Sequence, residues 1–310
     1  MTKPVISVVG GTGAQGGGVV DALLAARKFK VRVASRNPSS DAAKALTARG
    51  VEVVKADLLE PSSLKALYDG AHGAFLVTNF GDPAQGGREE EIGASAVNAA
   101  RSAGVKHLIW STLPDVEKIS GGRLKVEHFT MKAHVDAVVR SAGFERYTFV
   151  EAPFYFQNFL KTLVPQPLPD GRRGWAVPMD PAARVIHAGD ITELGRTVAA
   201  AFDAGAELEN GSYLAACGGT YSWDDFVATL NALGHDVRVV RVAPEVFDGF
   251  FRRQGAARDV PVLRGAYLFR SGRADRHRRS ECPRSQRLYR LFRVGAQEHE
   301  AGRLSRAALM

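Results

Sequence analysis

Residues 5–26 read VISVVGGTGAQGGGVVDALLAA, and this stretch decides the fold. Its first part, from Val5 to Val9, is a short apolar run that ends at glycine, which is typical of a strand buried on both faces. Beyond the glycines, the apolar residues of 19–24 recur at helical spacing. The stretch therefore predicts a strand, a glycine-rich turn and a helix in that order.

The turn between these two elements has the spacing Gly-x-x-Gly-x-x-Gly, one residue longer at its front than the usual Gly-x-Gly-x-x-Gly. Glycine permits a positive φ and lets a phosphate approach without meeting a Cβ, while the helix that follows offers free N–H groups and the positive end of its dipole. A flexible surface loop is the alternative, but the strand before the turn and the helix after it favour a diphosphate site. The predicted cofactor-binding residues of the turn are Gly10, Gly11, Thr12, Gly13, Ala14, Gln15 and Gly16.

Strands and helices alternate from the glycine turn to Val150, which predicts an α/β fold with a Rossmann-type, doubly wound parallel sheet. The alternation breaks at Glu151, where proline and glycine become frequent, so we expect a smaller C-terminal α/β substrate or lid portion built from separate segments. The predicted later elements are helices at 88–103, 124–141 and 191–202, a strand at 212–215, a helix that begins with Ser222 and Asp225 as a capping box, and a strand at 237–242. The predicted organisation is a dinucleotide-binding domain at 1–152, a second domain at 153–250 and an atypical tail at 251–310.

Composition narrows the class of protein. The 310 residues are 45% hydrophobic, which suffices for a large core, yet no apolar run approaches the roughly 20 residues that cross a bilayer. Cys217 and Cys282 form neither a disulfide framework nor a metal-ligand pattern, so we expect no metal site. With no secretory leader at Met1–Pro4, the expectation is a cytoplasmic protein that does not contact a membrane.

The net charge of +8 comes from one end of the chain. Residues 251–310 contain fifteen arginines, no lysine and five acidic residues, a local charge of +10, so the preceding 250 residues carry −2. One hypothesis is that this tail is translated from a shifted reading frame; the rival is a basic arm for an acidic partner. The arginines lack the interleaved aromatics of a stacking platform, which disfavours nucleic acid as a partner.

Arg36 stands at the end of the predicted second strand, about 20 residues beyond the last glycine of the turn, where dinucleotide folds meet the adenosine ribose. An acidic residue there would bond the 2′-hydroxyl, whereas a guanidinium suits a 2′-phosphate. The sequence therefore favours NADP(H) over NAD(H), with a solvated surface arginine as the alternative. Asp57 and Leu58 close the third strand and are expected beside the adenine, although an ordinary capping aspartate would look the same.

Several segments together resemble the NmrA-like family, which are atypical relatives of the short-chain dehydrogenase/reductases. The segments are GGTGAQGG, SRNP at the second strand end, VTNF at the fourth, GRLKVEHFTMKAHV and PFYFQNF, and the resemblance covers about residues 3–250. It implies a Rossmann domain with a small C-terminal domain, and it is closest to the members regarded as NADPH sensors.

The resemblance also implies site residues. The family's phosphate loop falls on Gly10–Gly16 and its 2′-phosphate arginine on Arg36, in agreement with the analysis above. Its residues near the nicotinamide half fall on Thr78, Asn79 and Lys132. Its cofactor-side segment after strand six falls on Phe154, Tyr155, Phe156 and Gln157, although an aromatic core between the two domains would explain the three aromatic residues almost as well.

The proton relay of typical short-chain reductases is incomplete in this sequence. Those enzymes use a tyrosine and, four residues later, a lysine on one helical face. Here the spacing survives as His128-x-x-x-Lys132, and Tyr155 is the nearest replacement phenol. His128 and Lys132 are thus the candidate catalytic residues with Tyr155, but the lysine cation would favour a neutral imidazole, and a half-buried histidine with no catalytic role is the preferred interpretation.

Two functions follow from these observations. The first is a sensor of the NADPH/NADP⁺ ratio that changes its association with a regulatory protein partner. The second is an NADPH-dependent oxidoreductase that acts on a quinone-like acceptor, where hydride position matters more than a strong general acid. The sequence favours the sensor slightly and leaves a homodimer open.

Overall fold

The computed structural model describes residues 2–168 and 170–247. Its helices are α1 (Ala14–Ala26), α2 (Asp41–Ala48), α3 (Leu64–Tyr68), α4 (Glu89–Ser102), α5 (Val116–Ser120), α6 (Glu127–Ser141), α7 (Asn158–Lys161), α8 (Leu194–Ala204) and α9 (Trp223–Ala232). Its strands are β1 (Val5–Val8), β2 (Lys30–Ser35), β3 (Glu52–Lys55), β4 (Gly73–Leu76), β5 (His107–Thr112), β6 (Arg146–Glu151), β7 (Phe154–Tyr155), β8 (Gln166–Pro167), β9 (Arg173–Val177), β10 (Ile186–Gly189), β11 (Tyr213–Ala215), β12 (Gly219–Tyr221) and β13 (Val237–Arg241). The described residues divide into two compact units, the first formed by residues up to 152 together with Ile191–Ala216.

The first unit is built on a seven-stranded sheet in the order β11-β6-β5-β4-β1-β2-β3. Every neighbouring pair in this sheet is parallel. The order runs outward from β1 in both directions, which is the doubly wound arrangement, so the predicted Rossmann-type fold is confirmed. Its ligand crevice is expected at the carboxyl ends of the strands, where β1 passes into the glycine turn.

One face of this sheet is covered by α3, α4 and α6, whose apolar residues share a core with alternate residues of the strands. Trp110 of β5 is fully buried in this core and donates its indole N–H to the backbone carbonyl of Lys132 on α6, at 3.2 Å. Successive residues of β4 face opposite sides of the sheet: Ala74 belongs to the core with α3, α4 and α6, whereas Gly73 lies against Phe202 of α8. The core therefore fixes α6 against the end of β5.

The domain boundary differs from the predicted one, because Ile191–Ala216 lies in the first unit rather than the second. Two contacts hold this segment there. Strand β11 pairs in parallel with β6, and α8 crosses α1 so closely that a Cβ on Gly195 would lie 2.0 Å from the carbonyl oxygen of Gly18. Neither the pairing nor the crossing leaves a signal in local periodicity, so the sequence assigned α8 and β11 to the second domain.

The second unit contains two three-stranded sheets, β12-β10-β7 and β13-β9-β8, with an aromatic core. Trp223 and Phe226 of α9 are buried in it and Leu230 packs against it, so one face of that helix belongs to this core. The capping box is also confirmed: the Ser222 hydroxyl accepts from the amide of Asp225, whose carboxylate accepts from the amide of Ser222.

Several predicted features change or fall outside the described residues. Helix α6 begins at Glu127 rather than at 124, and the short helix α5 precedes it. The predicted tail at 251–310 lies outside the described residues. Within the described part of the chain, no helix is long and apolar enough to span a bilayer, and no group of three or more His, Cys, Asp or Glu side chains is arranged to hold a metal ion.

Candidate functional site

The glycine turn between β1 and α1 folds tightly on itself. Gly10 has a φ of +73°, a region that favours glycine, and its carbonyl accepts the amide of Gly13 at 2.9 Å. A Cβ on Gly16 would lie 2.3 Å from the Gly10 carbonyl oxygen, so only glycine lets the first turn of α1 approach the turn this closely. The three glycines of the motif thus have structural tasks that together bring the start of α1 to the end of β1.

The start of α1 has the features of an anion site. Among the described residues, no acidic side chain occupies its first turn and no side chain caps it, so the first amides of the helix are left for a ligand. Gln15 is half-buried and donates its side-chain amide to the Ser111 hydroxyl at the end of β5, at 2.8 Å. The turn therefore fits a diphosphate, with the backbone rather than the side chain of Gln15 directed to that role.

Arg36 follows β2 and its side chain is 63% exposed. Its guanidinium donates to the carboxylate of Asp82, in the loop after β4, with Nη1 and Oδ2 separated by 3.0 Å. Asp82 is only 14% exposed. The predicted 2′-phosphate ligand is therefore an accessible cation that already has one acidic partner, which the sequence did not reveal because 46 residues separate the pair.

Asp57 and Leu58, predicted beside the adenine, have clear local tasks. The Asp57 carboxylate accepts the amide of Leu59 at 3.0 Å, and its backbone is held by the Ser63 hydroxyl at 2.9 Å. The side chain of Leu58 is buried in the core with α3. The Asp57 carboxylate thus closes a local turn and does not cap a helix, because Glu60 and Ser63 are the residues that precede the next two described helices. The buried side chain of Leu58 leaves only its backbone for an adenine contact.

Lys132 and Thr78 lie together with a residue that the sequence did not single out, Glu89 at the start of α4. The Lys132 ammonium donates to the Thr78 carbonyl and hydroxyl oxygens, both at 2.9 Å, and to the Glu89 carboxylate at 2.5 Å. The Thr78 hydroxyl in turn donates to the same carboxylate oxygen at 2.6 Å. Glu89 is fully buried, and its other oxygen has no hydrogen-bond partner among the described residues.

This buried triad changes the interpretation of Lys132. An ammonium has three N–H groups, and all three are engaged with Thr78 and Glu89, whereas the predicted ribose ligand needs one for a hydroxyl. Burial lowers the pKa of Lys132, and the Glu89 charge opposes that shift. In the sequence, Glu89 begins a run of three glutamates that is typical of an exposed helix start, so nothing marked it as buried.

Asn79, the other predicted residue at the end of β4, is exposed and shapes the loop that follows. Its side-chain oxygen accepts the amide of Gly81, and its own amide donates to the Gln85 side chain, both at 3.2 Å. Asn79 is therefore placed to position the loop that carries Asp82, and it stays a predicted cofactor residue.

His128 lies one helical turn before Lys132 on α6, between the rings of Phe80 and Phe129. Burial lowers its pKa to about 4, and the Lys132 charge adds to the shift. Its Nδ1 is buried and has no hydrogen-bond partner in the part of the chain that the structure describes. An imidazole with this pKa is neutral near pH 7, which supports the interpretation that His128 is not a proton donor.

The four predicted residues after strand six belong to the second unit, whereas the residues above belong to the first. Phe154 stacks on Phe226 at 5.8 Å between ring centroids, and Phe156 lies edge to face with Tyr221 at 5.6 Å. The two phenylalanines thus pack against the aromatic core of their own unit. Tyr155 follows Phe154 on β7, and Gln157 directly precedes α7.

A second buried acid, Asp136 on α6, was also missed by sequence reasoning. Its carboxylate accepts the hydroxyls of Thr112 at 2.7 Å and Tyr213 at 2.6 Å, while Arg140 lies over the Tyr213 ring. Burial raises the pKa of Asp136 to about 6, although both hydroxyls and Arg140 oppose the shift. Asp136 thus joins α6 to Thr112 at the end of β5 and to Tyr213 on β11.

Asp136 should make stability depend on pH. Because its folded pKa of about 6 lies above the ordinary value of 3.8, the folded state holds this proton more tightly, and stability falls as pH rises from about 4 to about 6. We expect wild type to lose about 2 kcal/mol more than Asp136→Asn between pH 4.5 and pH 7. Urea unfolding of both proteins at the two pH values measures this difference; equal losses would contradict it.

Comparison with protein families adds to this geometry. The model of the NmrA-like family matches residues 2–258. The NmrA-like family domain-containing oxidoreductase FrzB of Cladobotryum sp. is 38% identical over 161 residues, which cover 50% of this chain and 48% of FrzB. An NmrA-like family domain-containing protein of Dictyostelium discoideum is 37% identical over 209 residues, covering 64% of this chain and 67% of its own. The chain thus spans about half the length of the curated oxidoreductases it matches, FrzB among them.

Among solved structures, the chain is similar to NmrA, described as a negative transcriptional regulator and crystallised in complex with NAD and with NADP. The TM-score is 0.68 at 29% identity, over 78% of this chain and 75% of NmrA. That similarity agrees with the parallel sheet of the first unit.

Proposed function

This chain belongs to the NmrA-like family, and we propose from that membership that it binds NADP(H) and serves as a sensor or regulator that responds to the NADPH/NADP⁺ ratio. The amides at the start of α1 would hold the diphosphate, and Arg36 the 2′-phosphate. Thr78, Asn79 and Asp57, which end the neighbouring strands, would line the adenosine and nicotinamide halves. A regulatory protein as the partner and a cytoplasmic location stay predictions of the sequence.

The cofactor assignment is supported by the fit of the residues to the group. The start of α1 offers amides and no competing acid in its first turn, and Arg36 offers an exposed guanidinium at the strand end where the adenosine ribose is expected. NmrA, at 29% identity, is crystallised with NADP and with NAD. When bound, such a cofactor supplies a hydride; the chain's own groups described here supply binding and orientation.

The preference for a sensor is carried by the triad of Lys132, Thr78 and Glu89. A reductase relay needs a lysine that reaches the nicotinamide ribose and a phenol or imidazole that gives up a proton. Lys132 donates its three N–H groups to Thr78 and Glu89. His128, with a pKa of about 4, is neutral near pH 7. The same positions can still bind and position a cofactor, which is all that a sensor requires.

Replacing Arg36 tests the cofactor assignment. Arg36→Ala should weaken the binding of NADP⁺ and NADPH by about 1.5–3 kcal/mol, the contribution of charged hydrogen bonds, and leave NAD⁺ and NADH nearly unchanged. Isothermal titration calorimetry with all four nucleotides measures this selectivity. Arg49→Ala, which removes a guanidinium from the exposed pair with Asp21, is the matched control and should alter no affinity. Equal losses for all four nucleotides would overturn the role of Arg36.

An NADPH-dependent oxidoreductase with a quinone-like acceptor is the second candidate, favoured by relatives such as FrzB that are named oxidoreductases. Measuring NADPH oxidation with a panel of quinones separates the two functions. Micromolar NADPH binding without turnover is expected for the sensor. Steady oxidation of NADPH at a rate that depends on the quinone would instead establish the enzyme.

A further inference from the structure

The loop after β4 places a fixed carboxylate against the arginine that is expected to bind the 2′-phosphate. Asp82 accepts Arg36 through Oδ2 at 3.0 Å and the amide of Ala84 through Oδ1, also at 3.0 Å. Its backbone carbonyl accepts the amides of Gln85 and Gly86, both at 2.8 Å. The carboxylate is therefore held by its own turn as well as by Arg36.

The rest of the loop supports this turn from the other side. The amide of Asp82 donates to the carbonyl of Asn79 at 3.1 Å, and Gln85, which is buried, accepts the amide of Asn79 through its side chain. Arg36 has no comparable restraint, because its side chain is 63% exposed against 14% for Asp82. When a ligand competes for the pair, the guanidinium is the partner that can move.

A 2′-phosphate near Arg36 would meet this carboxylate. A phosphate monoester carries a charge of about −1.5 to −2 near pH 7, so it competes with Asp82 for the same N–H groups and is repelled by it. A 2′-hydroxyl is neutral and can donate a hydrogen bond to a carboxylate, so the same residue does not oppose the unphosphorylated cofactor. The carboxylate of Asp82 thus disfavours the nucleotide that carries the 2′-phosphate and not the one that lacks it.

We propose that Asp82 is a specificity-determining residue that reduces the preference of this chain for NADP(H) over NAD(H). The proposal rests on the NADP(H) site described above, since it concerns the same guanidinium. In this pair, Arg36 binds the 2′-phosphate, and Asp82 lowers the affinity that Arg36 gives to the phosphorylated nucleotide.

Asp82→Asn tests the proposal with little disturbance of the loop, because asparagine keeps an Oδ1 for the amide of Ala84. It replaces the charged Oδ2 that accepts from Arg36 with an uncharged amino group, so both the charge and that hydrogen bond are removed. In calorimetry on the full chain, the Kd for NADP⁺ should fall about fivefold, the size expected for a partly exposed charge pair, while the Kd for NAD⁺ should stay the same or rise. The gain should shrink at high salt and in an Arg36→Ala background.

Asp203→Asn is the matched control, since it removes the same charge from the exposed pair with Lys28 beyond the other end of α1. Asp203→Asn should leave both Kd values unchanged, because it alters the net charge of the chain as much as Asp82→Asn does but not the charge beside Arg36. An Asp82→Asn protein that binds NAD⁺ normally but gains nothing for NADP⁺ would overturn this inference alone. A wild-type chain that binds neither nucleotide would overturn the proposed function itself.

Discussion

Replacing Lys132 with methionine, an uncharged residue of similar length, should lower the free energy of unfolding by about 3–5 kcal/mol. The reason is that Lys132→Met leaves the Glu89 carboxylate buried without its cation. Glu89 is fully buried, and the Thr78 hydroxyl would remain as its one described donor. Glu89→Gln should cost a similar amount by leaving the ammonium unpaired. Urea unfolding followed by circular dichroism measures both losses.

Two controls isolate the buried pair. Lys28→Met breaks the ion pair with Asp203, whose side chains are 60% and 45% exposed, and should cost less than about 1 kcal/mol. The double variant Lys132→Met/Glu89→Gln should lose less than the sum of the two single variants, because neither charge is then left alone. A Lys132→Met protein as stable as Lys28→Met, or strict additivity in the double variant, would contradict the importance given to this triad.

A methyl group at the crossing of α1 and α8 should have the second large effect. A Cβ on Gly195 would lie 2.0 Å from the carbonyl oxygen of Gly18, and one on Gly18 would lie 2.4 Å from that of Thr192. These neighbours are backbone atoms, so the helices must separate. We expect Gly195→Ala and Gly18→Ala each to lower the free energy of unfolding by about 3 kcal/mol, the upper part of the range for overpacking.

Gly17 provides the matched control for this crossing, because it lies in α1 beside Gly18 but its Cβ would meet the nearest atom, the Gly11 carbonyl oxygen, at 3.6 Å. That is an ordinary contact, and alanine is favoured over glycine within a helix by about 1 kcal/mol. Gly17→Ala should therefore be neutral or stabilising in thermal unfolding. If Gly17→Ala and Gly195→Ala shifted the melting temperature alike, the close crossing would not be the cause.

Local patterns were sufficient to predict the Rossmann-type sheet. The apolar run before Gly10, the glycine spacing and the capping box at Ser222 are each set by neighbours within a few residues, so periodicity and cap chemistry reveal them. The short strands of the second unit, such as β7 and β12, were missed. Each is two or three residues long and pairs with distant segments, so no period can form within it.

The candidate site shows the same limit more sharply. The glycine turn and Arg36 could be found because a strand end and a helix start are local signals. The partners Glu89 and Asp82 lie 43 and 46 residues from Lys132 and Arg36, and each belongs to a stretch that is typical of solvated acids or turns. Only the tertiary fold brings each acid to its cation. For this reason the sequence did not reveal that the N–H groups of Lys132 are engaged by Thr78 and Glu89.

The most direct test of the central claim is a crystal structure of this chain grown with NADP⁺. The account predicts electron density for the diphosphate against the amides of Ala14, Gln15 and Gly16, with the 2′-phosphate within hydrogen-bond distance of the Arg36 guanidinium. A nucleotide whose diphosphate lies away from the start of α1, or whose 2′-phosphate does not approach Arg36, would contradict it.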